Sequence, residues 1–169
     1  KRQSLNIDQL IAPGVVEARP LLPSALYLPG NHDLDQDSIS LPFTDGIPHD
    51  VIGTFAQIQG AKIPGRIITS AKSWLCHGAV DRQSEILPSG AAADVPRMSP
   101  VDASARILSH LRDVWNHRFP DAPLAEQEIV LAVPASFDAS ARALTLAAAK
   151  SAGIDRNLVL IEEPQAAFY

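Results

Sequence analysis

The sequence holds one cysteine, Cys76, and one methionine, and only 5% of its residues are aromatic. One cysteine excludes an internal disulfide, and a lone thiol fits a reducing compartment. His77 adjoins Cys76, but no His and carboxylate arrangement surrounds the thiol. It therefore reads as a buried or inert group and not as a nucleophile. No run approaches the ~18–20 apolar residues of a membrane-spanning helix. The opening Lys1-Arg2-Gln3-Ser4 has no apolar core behind it and is not a secretory signal. Together these absences point to a cytoplasmic protein without a membrane partner. Excess positive charge is lacking too. The formal net charge is −5, which argues against nucleic acid, whose affinity comes chiefly from Lys and Arg on phosphates. There is no internal repeat, no low-complexity tract and no Gly-x-x-x-x-Gly-Lys phosphate loop. Position 1 is not Met, which points to processing or to a piece of a longer protein.

What is present suits one globular domain. The chain has 169 residues, 46% hydrophobic and 20% charged. Fourteen prolines predict loop-rich stretches between regular elements. Ser4 to Ile11 reads as a strand, with Pro13-Gly14 as the turn after it. Val15-Val16 and Leu21 to Leu28 read as further extended runs. Pro20 and Pro23 demote the latter to an edge or irregular strand, because proline cannot donate to a ladder. Gly30 to Asp50 is a loop. Val51 to Gln59 fits either a strand or a helical turn. Pro64-Gly65 is a turn, and Ile67, Ile68, Ala71, Trp74 and Leu75 then recur at helical spacing, predicting a short amphipathic helix over 66–75.

The second half is more regular. After the loop from Gly78 to Pro96, Ser99 can cap a helix, Pro100 suits its first position and Asp102 complements its positive end. Val101, Ala105, Leu108, Leu111 and Trp115 give it one apolar stripe, and Pro120 ends it. Trp74 and Trp115 read as core residues. Glu128 to Val133 is a near-continuous apolar run, the pattern of a strand buried on both faces. Asp138 can cap a helix over 139–152, closed by Gly153. Asn157 to Ile161 is another strand, and Pro164 opens a further helix. Strands alternating with helices make an α/β arrangement.

In such a sheet, ligands bind beyond the carboxyl ends of the strands. Two strands end there in Val133-Pro134-Ala135 and in Ile161-Glu162-Glu163-Pro164. A carboxylate at that place can hold a metal or orient water, or Glu163 can simply cap the next helix. Asp33-Leu34-Asp35-Gln36-Asp37 has the spacing of a calcium loop, but Ser38 and Thr44 stand where Gly and Glu belong. His110 and His117 are too far apart for a paired zinc site.

Val133-Pro134-Ala135-Ser136-Phe137-Asp138, then Arg142, Ala152-Gly153 and Ile161-Glu162-Glu163-Pro164-Gln165-Ala166-Ala167 resemble a motif of DnaK-type (seventy-kilodalton heat-shock) chaperones. That family's pattern is Val-Pro-Ala-Tyr-Phe-Asn, an Arg on the following helix, Ala-Gly, and Asn-Glu-Pro-Thr-Ala-Ala. Ser99 to Leu108 resembles the family's preceding helix. Pro64-Gly65 through Ser70-Ala71-Lys72-Ser73-Trp74-Leu75 resembles the segment bearing its active-site lysine, and Leu21 to Pro29 its early Pro-Ser strand.

The resemblance implies an actin-like, ribonuclease-H-like ATPase fold. The chain would supply lobe I of a nucleotide-binding domain, a mixed sheet flanked by helices. Residues 1–30 and about 120–169 would form subdomain IA, with about 31–119 a trimmed subdomain IB and connecting helices. It further implies that Lys72 stabilises the γ-phosphate and the attacking water, and that Glu163 contacts the hydration shell of Mg2+. Pro134 and Arg142 would relay nucleotide state. Otherwise Lys72 is a solvated surface lysine, Pro134 a strand stop and Arg142 an exposed helix arginine. Implied cofactors are ATP or ADP with Mg2+, and implied partners are unfolded-protein clients and co-chaperones. Ser136, Asp138, Glu162 and Gln165 depart from the family pattern and mark a divergent member. The family's first phosphate loop would precede Ser4, and its second, with the adenosine motif, would follow Tyr169. Residues 1–169 are therefore expected to bind ATP poorly and not to hydrolyse it, although the intact protein would. The alternatives are a DnaK-like protein that binds nucleotide or a partner without catalysis, and another actin-like ATPase such as a sugar kinase.

Overall fold

The computed structural model describes residues 4–30, 33–44, 46 and 48–168. It is a mixed α/β structure of small sheets and helices arranged in two compact units. The first takes in residues 1–70 and 85–98, and the second residues 71–84 and 99–169. No helix among the described residues is long and apolar enough to cross a membrane.

In the first unit, β1 (Ile7–Ala12) and β2 (Val15–Arg19) form an antiparallel hairpin across the Pro13-Gly14 turn. A three-stranded antiparallel sheet follows, made of β3 (Ala25–Tyr27), β4 (Val51–Ile52) and β5 (Ile67–Thr69). β3 is its central strand, not the edge that the prolines predicted. Both prolines lie before the strand, so no ladder donor is lost. The segment from Val51 is strand and helix in succession. Gly53 stands at the junction with φ +89, and α1 (Thr54–Lys62) begins after it. A Cβ at Gly53 would come within 2.6 Å of the Gln9 amide oxygen, so the position excludes larger residues by space as well as by dihedral. Leu10, Ala25, Tyr27, Ile39, Val51, Phe55 and Ala56 make the core.

Residues 66–75 do not form one helix. Ile67–Thr69 is β5, pairing Leu26 with Ile68, and only Ala71–Trp74 turns helically, as α2. Three consecutive β-branched residues favour the pleated conformation. Ser70, at φ 57, then breaks the chain direction. The chain passes from one unit to the other here, so β5 belongs to the first and Lys72 to the second.

The second unit continues with α3 (Pro100–Arg118), β6 (Ile129–Val133), α4 (Ala139–Ser151), β7 (Leu158–Glu162) and the single turn α5 (Glu163–Ala166). Ser99 caps α3 by accepting the Asp102 amide at 3.0 Å, and Asp138 caps α4 by accepting that of Ala141 at 2.7 Å. Gly153, at φ +71, closes α4. Its amide donates to the Lys150 carbonyl and that of Ile154 to the Ala149 carbonyl, while Ile154 packs against Ala149. β6 and β7 are parallel, joined by α4. One part of the core gathers Leu75, Val133, Phe137, Ala141 and Leu144, and another Ala149, Ala152 and Ile154 with Ile129 and Leu158. The alanines of α4 give it the close approach this packing needs.

Three burial expectations are corrected. β6 is not covered on both faces: Val130 is 61% exposed and its cross-strand partner Val159 57%. The covered side chains, Ile129, Val133, Leu158 and Leu160, pack against α4. The α3 stripe itself holds in part: Ala105 is buried and Val101 and Leu108 pack against the core, Leu111 and Trp115 are half-buried, and Ala103, His110 and Val114 are buried as well. Trp74 and Trp115 are likewise half-buried, Trp74 stacked on His77 and Trp115 packed on Phe119. Cys76 is exposed and its thiol donates to the Ser73 carbonyl.

Candidate functional site at the ends of two parallel strands

Val133 and Glu162 are paired in register, so β6 and β7 end level. Side chains alternate along β7. Leu158, Leu160 and Glu162 therefore share the face that carries α4, and Val159 and Ile161 point the other way. Glu163 lies beyond the strand, as the first residue of α5. Glu162 caps the start of that helix, and the two adjacent glutamates meet different partners.

Each meets one cation. Arg142, in the first turns of α4, donates through Nη2 to Glu162 Oε1 at 2.8 Å. Its Nε donates to the Phe137 carbonyl at 3.2 Å. Phe137 closes the turn that Pro134 begins, through its amide on the Pro134 carbonyl. Pro134 and Arg142 are therefore joined through one short turn. Just beyond the strand, Lys72 Nζ donates to Glu163 Oε1. The same ammonium lies 3.5 Å from the Ala132 carbonyl at the end of β6. Lys72 and Glu163, 91 positions apart in sequence, meet directly.

Lys72 is placed by its neighbours. Ala71 and Leu75 are buried on either side of it, and Leu75 packs into the Val133 and Phe137 core. Arg82 ties down the end of α2, donating to the Leu75 carbonyl at 2.9 Å and to Ser140 Oγ at 2.6 Å. Asp81 fixes the loop that carries Arg82. It accepts the Ser84 hydroxyl at 2.6 Å and the Gln83 amide at 3.0 Å, and these bonds hold its carboxyl below the usual carboxylate range. Sequence reading missed Arg82, because nothing in its surroundings signals a partner 58 positions away.

Side-chain exposure is 45% for Lys72 and 50% for Glu163. An ion pair this wet contributes at most about 1 kcal/mol. It opens readily, which leaves the ammonium free to meet another anion and the carboxylate to accept from water. Among the described residues no group of three or more His, Cys, Asp or Glu side chains is arranged to hold a metal ion. The donor set at the strand ends nonetheless fits Mg2+, which keeps several waters and takes few protein carboxylates alongside phosphate oxygens. Neither the models of known protein families nor the curated proteins match this chain.

Proposed function

We propose that this chain is part of the ATPase domain of a DnaK-like chaperone with the actin-like fold, acting in the cytoplasm. One observation carries the reading. The amine and the acid that the motif resemblance singles out are brought together at the carboxyl ends of adjacent parallel strands, the place where α/β sheets bind ligands.

In this reading Lys72 leaves Glu163 for the terminal phosphate and stabilises the negative charge that develops as the phosphoryl group departs. Glu163 would hold Mg2+ through the ion's bound water. When bound, that ion supplies charge neutralisation on the phosphates. Ala132, whose carbonyl faces the ammonium, keeps Lys72 at the strand ends when the pair opens. Pro134 and Arg142 transmit the state of the site, because the 134–137 turn connects the end of β6 to α4. Clients and co-chaperones of the whole protein would be served by that connection. Backbone amides that cradle phosphates in the family come from segments without counterpart in residues 1–169, so this piece is expected to bind nucleotide weakly.

A second reading has an observation of its own. Lys72 and Glu163 satisfy each other, as a purely structural pair would, in a relative that has lost catalysis. Titrating residues 1–169 with Mg-ATP, followed by calorimetry and by amide chemical shifts, separates the two. The ATPase reading expects no submicromolar affinity but millimolar-range shifts centred on 72, 132–134 and 162–163. Shifts confined to the first unit, or absent altogether, would contradict it.

A further inference from the structure

Glu162 stands where the resembling family carries Asn, and it is the better anchored of the two adjacent glutamates. Its backbone amide donates to Gln165 Oε1 at 3.3 Å, its carboxylate accepts Arg142, and its register with Val133 is fixed. Arg142 is itself held, by the Phe137 carbonyl and by its place on a capped helix. Glu162 is also the N-cap of α5, in a reciprocal capping box with Gln165, so it fixes the backbone from which Glu163, the first residue of that helix, projects.

We propose that Glu162 is a positioning residue: its ion pair with Arg142 holds the junction of β7 and α5 and so aims the Glu163 carboxylate at the Lys72 ammonium. The inference rests on the functional reading above and deepens it, since it assigns a device that orders the phosphate and Mg2+ groups before any ligand arrives. The hydrogen bonds of Glu162 go to Arg142 and Gln165. It acts through the backbone of the junction between β7 and α5. The family's relay arginine is here committed to an internal partner, so a change in the 134–137 turn reaches Glu163 along Phe137, Arg142 and Glu162.

The test is the acetylation rate of Lys72 in residues 1–169, followed by mass spectrometry with acetic anhydride, using Lys62 and Lys150 as internal references. Glu163→Gln breaks the pair directly and sets the upper limit. Glu162→Gln is expected to raise Lys72 labelling by about threefold, the scale of an exposed ion pair, with both references unchanged. The exchanged variant carrying Glu162→Arg and Arg142→Glu restores the pair in reverse and is expected to return labelling toward the wild-type rate. Should Glu162→Gln unfold the chain, all three lysines accelerate, and the exchanged variant alone decides, its failure to bring Lys72 below the Glu163→Gln rate overturning the proposal. Wild-type labelling in Glu162→Gln with fast labelling in Glu163→Gln would overturn the positioning role and leave the site reading standing. Unchanged labelling in both would overturn the proposal and remove the Lys72–Glu163 pair on which that reading rests.

Discussion

Gln9 and Glu163 are side chains of similar reach put to opposite uses. In the first unit Gln9 is completely buried, and its amide is used in full: the oxygen accepts the amide and hydroxyl of Thr54 at 3.0 and 2.9 Å, and the nitrogen donates to the Leu21 carbonyl at 2.8 Å. The Tyr27 hydroxyl, also buried, donates to Asp33 Oδ2 at 2.9 Å, beside the Arg66 guanidinium. These groups fix shape and offer nothing to a ligand. In the second unit Lys72 and Glu163 stand half-exposed at the strand ends, in a pair that water can open. Burial decides which polar groups hold a structure and which remain open to chemistry.

The sharpest way to break that contrast is to remove one group from each unit and follow urea denaturation. Gln9→Leu strands the Thr54 amide and the Leu21 carbonyl, each left unsatisfied at a cost of roughly 1–3 kcal/mol. Lys72→Met is expected to cost under about 1 kcal/mol. Equal losses would mean that the strand-end pair is structural after all. Next in size is Gly153→Ala, which forces a side chain into the left-handed region and brings its Cβ within 3.3 Å of Arg112 Nη1. It is expected to lower stability by about 1–2 kcal/mol, showing that the second unit depends on its helix end rather than on its exposed charges.

Alkaline titration gives a smaller and more specific signal. Burial first, and then the bond to Asp33, push the Tyr27 phenol up to about 12 from its ordinary value of 10.0. A raised folded-state value means that the stabilisation is complete below pH 10.0 and is lost as pH climbs toward 12. Tyr27→Phe is expected to flatten the fall in stability over that window, measured as denaturation midpoint against pH. An unchanged slope would show that the phenol is not held protonated by folding.

Much of the second unit was legible because its signals are local. Ser99-Pro100 with Asp102, and Asp138 with Gly153, mark helix ends within one turn of chain, and both helices form there. The apolar runs before Pro134 and Pro164 are strands. The misreadings share one cause, a dependence on distant partners. Ile67, Ile68, Ala71, Trp74 and Leu75 satisfy a helical period, yet pairing with β3 claims the first two. The run from Glu128 to Val133 gives hydrophobicity but not the number of strands beside it, so the exposure of Val130 was hidden. Tyr27, Asp33 and Arg66 come together through folding alone. The Lys72–Glu163 meeting was likewise invisible to spacing; only the motif resemblance singled out both residues.

The most direct test of the central claim is single-turnover ATP hydrolysis by the full-length protein carrying Lys72→Ala. The account predicts a rate lowered by about 100-fold or more, the effect of removing one preorganised donor to developing charge, with nucleotide affinity changed only a few-fold. Hydrolysis at the unaltered rate would show that the Lys72 ammonium has no part in the chemistry.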